Sequence, residues 1–80
     1  MGTQAELLDR ITVNPSVMVG KPTVRGTRLT VEHVLKALAR QLSFEDLRDE
    51  YPFLEKEDIS ACLLYAAQQI EGEKIYPIAA

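Results

Sequence analysis

The sequence of 80 residues lacks the features that would place it in several large classes of protein. It contains one cysteine, Cys62, so no disulfide can form within the chain and a disulfide-stapled secreted domain is excluded. Its longest apolar runs are far shorter than the roughly 20 residues that span a bilayer. Residues 1–10 have no apolar run after a basic stretch, so we expect no signal peptide. These absences predict a cytoplasmic protein without membrane contact.

Residues that carry catalysis or bind metals are equally scarce. His33 is the only histidine, and together with Cys62 it cannot complete a zinc site within one chain. A nucleophilic pair of these two residues would need a shared cleft, which nothing in the sequence indicates. Gly20-Lys21 is not a phosphate-binding loop, because positions 15 and 22 are both proline. We therefore expect no enzyme, cofactor or metal, and the alternative of a small enzyme requires a pocket around His33.

The composition is that of one small globular domain. Hydrophobic residues make up 46% of the chain and charged residues 26%. A chain of this size buries a small core and is marginally stable alone, so we expect a homo-oligomer, most simply a dimer. The net charge of −3 hides a basic stretch over residues 10–40 and an acidic one over residues 41–80. This division suits two partners of opposite charge, although ordinary solvated faces would give the same pattern.

A short β element is predicted ahead of the helices. Residues 1–9 are predicted to form an arm or a short helical turn. Two short extended segments follow at 11–13 and 17–19, with a turn at Asn14-Pro15 between them. The segments on either side of Gly26-Thr27 predict a tight bend or a small hairpin, because glycine accepts the positive φ that a bend requires.

Three helices are predicted after this element. The first begins after the N-cap Thr30 and ends near Arg40. Ser43 opens a short second helix with a capping box, and Pro52 ends it. The third helix is predicted over residues 55–71, with Gly72 as its C-cap. The apolar stripe of the third helix that we expect to face the core consists of Ile59, Leu63, Ala66 and Ile70.

Together these elements predict a mainly α fold, a three-helix, helix-turn-helix bundle preceded by a short β-hairpin or strand-turn segment. The domain is expected over residues 10–72, with an arm at 1–9 and a tail at 73–80. In such a fold the third helix enters the DNA major groove. Here its first turn is acidic, which disfavours that docking because phosphate neutralisation dominates DNA affinity. The candidate DNA-binding residues are instead the basic residues before it: Lys21, Arg25, Arg28, Lys36 and Arg40. The candidate partner-binding residues are apolar residues of the third helix and the tail: Leu64, Tyr65, Ile75, Tyr76 and Ile78.

Two motifs make the sequence similar to a known family. Residues 20–29 read Gly-Lys-Pro-Thr-Val-Arg-Gly-Thr-Arg-Leu, and Tyr51-Pro52-Phe53-Leu54 and Asp58-Ile59 follow after a helix. Over about residues 10–71 the chain resembles the domain of unknown function 433 family. The resemblance implies a homeodomain-like three-helix fold. Family members often have Ser or Thr where this chain has Glu55, so the N-cap of the third helix is predicted to be weak.

The resemblance also implies a function. It suggests the antitoxin of a type II toxin–antitoxin pair, which caps a toxin similar to a PIN-domain ribonuclease and represses its own operon by binding operator DNA. The acidic half of the chain would then cover the basic rim of the nuclease, and the basic half would contact DNA. The alternative is a protein-interaction or dimerisation module with no DNA-binding role. The two differ in whether Lys21, Arg25 and Arg28 are exposed on one surface.

Overall fold

The fold is mainly helical, with a short sheet near the N-terminus. A computed structural model of the chain describes residues 3–71. In chain order these residues form α1 (Gln4–Leu8), β1 (Ile11–Val13), a 3₁₀ turn (Met18–Gly20), β2 (Pro22–Val24), α2 (Val31–Ala39), α3 (Phe44–Glu50) and α4 (Lys56–Glu71). The predicted mainly α class with an N-terminal β element is confirmed, whereas the homeodomain-like arrangement stays a prediction. Gly72 and the tail 73–80 lie outside the described residues.

The sheet is a two-stranded antiparallel hairpin. β1 pairs with β2 so that Ile11 lies opposite Val24. The predicted bend at Gly26-Thr27 is confirmed, with Gly26 at a φ of 79°, a conformation that glycine adopts without a Cβ clash. A single bridge between Thr23 and Thr30 joins β2 to the chain beyond this bend. The strand partner of β2 is therefore β1, and the segment after the bend leads directly into α2.

The prediction of an extended segment at residues 17–19 is wrong. Met18, Val19 and Gly20 have φ values of 50°, 58° and 79°, so the chain turns in the left-handed region. This conformation is strained for a β-branched residue, and Val19 is 94% exposed. The turn reverses the chain between β1 and β2, which requires a compact connection that the alternation of apolar residues does not reveal.

Local hydrogen bonds explain where α2 begins and ends. The Oγ1 atom of Thr30 accepts a hydrogen bond of 3.0 Å from the backbone N–H of His33, which confirms the predicted N-cap. At the other end Gln41 has a φ of 70°, and the N–H of Leu42 donates to the carbonyl of Ala37 at 3.1 Å. This is a Schellman-type end in which glutamine takes the place usually held by glycine.

The second helix, α3, has the predicted capping box. Ser43 Oγ accepts from the backbone N–H of Asp46 at 3.1 Å, and Asp46 Oδ2 accepts from the N–H of Ser43 at 2.9 Å. The hydrogen bond from the Ser43 backbone, followed by that from its side chain, lowers the pKa of Asp46 below its ordinary value. The helix ends at Glu50, two residues before Pro52, as predicted.

The core is formed by residues of the hairpin, α2, α3 and α4, and α1 packs against α4. Its buried apolar members come from every one of these segments except α1: Val24, Leu29, Val31, Val34, Ala37, Leu47, Leu54 and Cys62. Among the helices described, none has the length and apolar character needed to cross a bilayer.

The predicted core stripe of α4 is wrong in part. Ile59 packs against the core, but Leu63 and Ile70 are 50% and 56% exposed. The buried face instead carries Asp58, Ala61 and Cys62. The buried stripe is therefore shifted from the predicted one and includes a carboxylate, Asp58, whose polar contacts are described below.

Candidate ligand-binding groove

An open groove of about 1160 Å³ lies between the hairpin, the N-terminus of α2 and the turn that joins α3 to α4. Its walls contain apolar residues of the left-handed turn, two arginines of the hairpin bend and three aromatic rings. Among the described residues that line it there is no carboxylate. A concave surface of this kind favours a ligand with negative charge and with flat or apolar parts.

The basic side of the groove is formed by Arg25 and Arg28, which we call the arginine rim. Both side chains are exposed, and they flank the Gly26-Thr27 bend. The ion pairs found within residues 3–71 involve neither arginine. The rim therefore offers two guanidinium groups whose charge is not balanced by a contacting carboxylate of the described chain.

Two threonines beside the rim, Thr27 and Thr30, form hydrogen bonds that stabilise the local backbone. Thr27 Oγ1 donates to the Val24 carbonyl at 2.7 Å and accepts from the Leu29 N–H at 3.1 Å. The Thr30 hydroxyl caps α2 through the N–H of His33. These hydrogen bonds fix the bend and place the N-terminus of α2, the positive end of its dipole, at the groove.

The aromatic side of the groove is formed by His33, Tyr51 and Phe53, which we call the ring cluster. The ring centroids of His33 and Tyr51 are 6.0 Å apart and those of Tyr51 and Phe53 are 5.9 Å apart, both in edge-to-face geometry. Tyr51 Oη and His33 Nε2 are at hydrogen-bond distance, 3.3 Å. Phe53 is 49% exposed, so its ring keeps a free surface within the groove.

Lys21 and Lys36, two further candidate DNA-binding residues, do not line the groove and form ion pairs with Glu32. Each Nζ lies 2.9 Å from a carboxylate oxygen of Glu32. The hydrogen bonds from Lys36 and Lys21 lower the pKa of Glu32 to about 2. Arg40 is exposed at the C-terminal end of α2, away from the helix terminus that lines the groove. Of the five candidates, the structure brings only Arg25 and Arg28 together at the groove.

Arg10 has a different role, which the sequence did not indicate. Its Nη1 atom lies 2.9 Å from Glu55 Oε1 and 3.1 Å from Asp58 Oδ1, and these hydrogen bonds raise the pKa of Arg10. Asp58 is buried, and its Oδ2 accepts from the N–H of Glu55 at 2.9 Å. We call these three residues the arginine clasp. The clasp joins the start of β1 to the start of α4, and Asp58 binds the backbone N–H that precedes this helix.

The candidate partner-binding residues are only partly described. Leu64 and Tyr65 are half-buried, and Tyr65 packs against the core. Ile75, Tyr76 and Ile78 lie outside the described residues. On α4 the large apolar residues with the most exposure are Leu63 and Ile70, which the sequence pattern had assigned to the core.

The two residues considered for catalysis are separated. Cys62 is fully buried, and burial, followed by the charge of Asp58, raises the pKa of its thiol to about 12. The thiol is thus protonated at neutral pH and does not line the groove. His33 does line the groove, a pocket that the sequence did not indicate because Tyr51 and Phe53 lie far along the chain. Within residues 3–71, no three His, Cys, Asp or Glu side chains are placed to hold a metal ion.

The groove lies within a segment that is shared with other proteins. Residues 11–66, which include every residue lining the groove, match the model of a family described as protein of unknown function (DUF433). The chain belongs to the DUF433 family. The resemblance noted in the sequence is therefore confirmed over most of the domain.

Two other proteins are similar to most of this chain. The uncharacterized protein y4eO of Sinorhizobium fredii is 34% identical over 65 residues, which are 80% of this chain and 29% of that protein. The crystal structure of a DUF433 member from Anabaena variabilis superimposes with a TM-score of 0.72 at 31% identity, over 78% of this chain and 61% of that one. This chain thus spans less than a third of the curated relative and less than two thirds of the solved chain.

Proposed function

We propose that this DUF433 protein is a binding module without enzymatic activity, the antitoxin of a type II toxin–antitoxin pair. In this proposal it contacts operator DNA through the arginine rim and a PIN-like ribonuclease toxin through the acidic surface of α3 and α4. The observation that carries the proposal is the segregation of charge: two exposed arginines outside any ion pair found in residues 3–71 on the hairpin bend, and carboxylates concentrated on the later helices.

The DNA contact is assigned to the rim because the other basic residues are less available. Lys21 and Lys36 already share the carboxylate of Glu32, so part of their charge is neutralised. The start of α4, which would read bases in a helix-turn-helix protein, carries Glu57 and the clasp carboxylates. Arginine is also the better residue for phosphate because its planar group binds two oxygens at once.

A titration with the DNA upstream of the gene, repeated at several salt concentrations, tests the operator contact. We expect Arg25→Ala/Arg28→Ala to weaken binding and to lower the slope of log K against log salt by about 1.8, or about 0.9 for each phosphate that an arginine neutralises. The matched control is Arg48→Ala/Lys56→Ala, which removes two exposed positive charges on α3 and α4 outside the groove. Duplex binding that stays unmeasurable at low salt would contradict the operator role, provided that circular dichroism shows folded protein.

The toxin contact rests on the acidic residues of α3. Glu45, Asp49 and Glu50 are exposed there, and a ribonuclease must present basic residues to bind its own substrate. We expect Glu45→Lys/Asp49→Lys to weaken the complex with a nuclease encoded by the neighbouring gene, measured by calorimetry. Glu6→Lys/Asp9→Lys, at two exposed acids near the N-terminus, makes the same change in net charge and is the control. If the wild type, the α3 variant and the charge control bind the nuclease with equal affinity, α3 is not part of the interface.

A dimerisation module without a DNA-binding role is the second candidate, and one observation favours it. Leu63 and Ile70 lie seven residues apart on α4 and are both half-exposed, the spacing of one helix face. Sedimentation of the wild type and of Leu63→Glu separates the two functions. A dimer that Leu63→Glu dissociates, in a protein that binds no operator DNA, would favour this second function over the antitoxin.

A further inference from the structure

We propose that the groove is a binding site for a single-stranded polynucleotide, whose phosphates contact the arginine rim and whose bases stack on the ring cluster. This site goes beyond the double-stranded operator DNA of the proposed function. It combines two features that single-strand binding requires, a positive rim and exposed aromatic rings within one concave surface.

The electrostatic part of the inference follows from what lines the groove. Arg25 and Arg28 lie on one side, and the N-terminus of α2 adds the positive end of a helix dipole. No carboxylate is found among the described lining residues, although the chain as a whole carries a net charge of −3. The threonine hydroxyls at the bend are used by the fold, so the guanidinium groups are the contacts for phosphate.

The stacking part follows from the spacing of the rings. The centroids of His33, Tyr51 and Phe53 follow one another at 6.0 Å and 5.9 Å. The hydrogen bond between Tyr51 and His33 fixes the first two rings, and Phe53 presents the more open surface. A base stacked on an aromatic side chain strengthens binding by about 5- to 150-fold for each ring, with little dependence on sequence.

The geometry favours a single strand over a duplex. In a duplex the bases are stacked inside the helix, and only their edges are reachable in the grooves. Rings that lie inside a concave surface can stack only on bases that are unpaired and splayed out. An acidic peptide could pair with the arginines but has no series of flat groups that would stack on the ring cluster. Its binding is therefore tested as the competing explanation.

The test is a fluorescence anisotropy titration at low salt with labelled oligothymidylate and oligouridylate of about eight nucleotides, a length within the usual site size of small binding domains. We expect Phe53→Ala to weaken binding by about 5- to 150-fold and Phe53→Tyr, which keeps the ring, to restore it. Val13→Ala is the matched control because Val13 is similarly exposed, at 57%, but does not line the groove. The far-UV circular dichroism and urea midpoint of each variant verify that it is folded.

Several outcomes would overturn the proposal. It fails if neither oligonucleotide binds the folded wild type, or if Phe53→Ala and Val13→Ala bind equally well. It also fails if an acidic peptide of the same charge displaces the oligonucleotide at equal concentration, because charge alone would then explain the site. If one of the two oligonucleotides binds in a Phe53-dependent manner the proposal stands, and their affinity ratio tells whether RNA or DNA is preferred.

The arginines and the rings separate this site from the operator contact. Arg25→Gln/Arg28→Gln should lower the single-strand salt slope by about 1.4, or about 0.7 for each phosphate contact. Operator duplex should lose affinity in the same variant but bind Phe53→Ala as well as it binds the wild type. If the arginine variant binds operator duplex as well as the wild type does, the operator role is refuted and the single-strand site is not. If Phe53→Ala binds the oligonucleotide as well as the wild type does, the single-strand site is refuted and the operator role is not.

Discussion

The arginine clasp and the arginine rim use the same side chain for two purposes. In the clasp, Arg10 contacts Glu55 and Asp58 at 2.9 Å and 3.1 Å. In the rim, Arg25 and Arg28 are exposed beside an open groove and take part in no ion pair found within residues 3–71. Arg10 and Arg25 are neighbours, since the backbone N–H of Arg25 donates to the carbonyl of Arg10 at 2.7 Å. The difference lies in which side chains each guanidinium reaches: Arg10 contacts carboxylates at the start of α4, whereas no described carboxylate lies within ion-pair distance of Arg25 or Arg28.

This comparison shows how to divide the basic residues of a small domain. Arg10 connects elements that are 45 and 48 residues apart in sequence, so its charge stabilises the fold. Lys21 and Lys36 form an intermediate class, since their partner Glu32 is exposed like themselves. The rim belongs to neither class, and a charge that the fold does not use is available to a ligand.

Removal of the buried carboxylate of the clasp should have the largest effect on stability. Asp58→Ala deletes one ion pair with Arg10 and the acceptor of the Glu55 N–H. We expect the free energy of unfolding, measured in urea, to fall by about 2 kcal/mol, the usual range for removal of a cap together with a partly buried pair. Asp49→Ala, an exposed acid on α3, is the control. If Asp58→Ala and Asp49→Ala were equally stable, the clasp would not stabilise the fold, and its distinction from the rim would be wrong.

The exposed pairs of Glu32 should have a smaller effect that depends on pH and salt. The folded protein lowers the pKa of Glu32 from 4.5 to about 2. Its pairs therefore stabilise the fold above about pH 4.5, and this stabilisation is lost as the pH falls toward 2. We expect Glu32→Gln to melt below the wild type at pH 7 in low salt, and the two curves to converge at pH 2.

Salt and a second acid serve as controls for this effect. At high salt the difference between wild type and Glu32→Gln should shrink, because both lysines and Glu32 are exposed to solvent. Glu50→Gln, an exposed acid outside the ion pairs found in residues 3–71, should show no comparable pH dependence. A melting difference that persists unchanged at pH 2 would mean that Glu32 acts through something other than its charge.

The rim should have the smallest effect on stability. Arg25→Gln/Arg28→Gln removes two exposed charges that no described carboxylate contacts. We expect the free energy of unfolding to change by no more than about 0.5 kcal/mol, as is usual for surface substitutions. The free energies of unfolding in urea of the rim variant and of Arg10→Gln are compared. A rim variant as destabilised as Arg10→Gln would show that these arginines are structural and would weaken both binding proposals.

Much of the helical part of the fold could be predicted from local signals. Thr30 and Ser43 cap helices where their side chains predicted caps, because capping depends on residues within one turn. Pro52 and the apolar spacing of α2 acted in the same local way. The predicted strand at 17–19 failed because apolar content alone does not distinguish a strand from a left-handed turn.

The candidate site was predictable only in part. Arg25 and Arg28 could be proposed from sequence, since two basic residues flank a glycine bend and the bend brings them together. The groove itself could not, because it depends on Tyr51 and Phe53 lying beside a hairpin that precedes them by more than 20 residues. Neither the clasp nor the buried face of α4 has a periodic apolar signal, since the clasp depends on a long-range contact of Arg10 and the buried face includes the carboxylate of Asp58.

The sequence by itself determined the helix boundaries, the bend at Gly26 and the excess of basic residues before position 41, because these properties depend on neighbours along the chain. The tertiary structure decided which of those basic charges are neutralised, except for Lys36, whose partner Glu32 lies four residues before it on the same helix. Arg10 contacts Asp58, Lys21 and Lys36 both contact Glu32, and the arginine rim lies beside the ring cluster of the groove. The physical reason is that a charge is neutralised by the groups within a few ångströms of it, and only the folded chain places those groups.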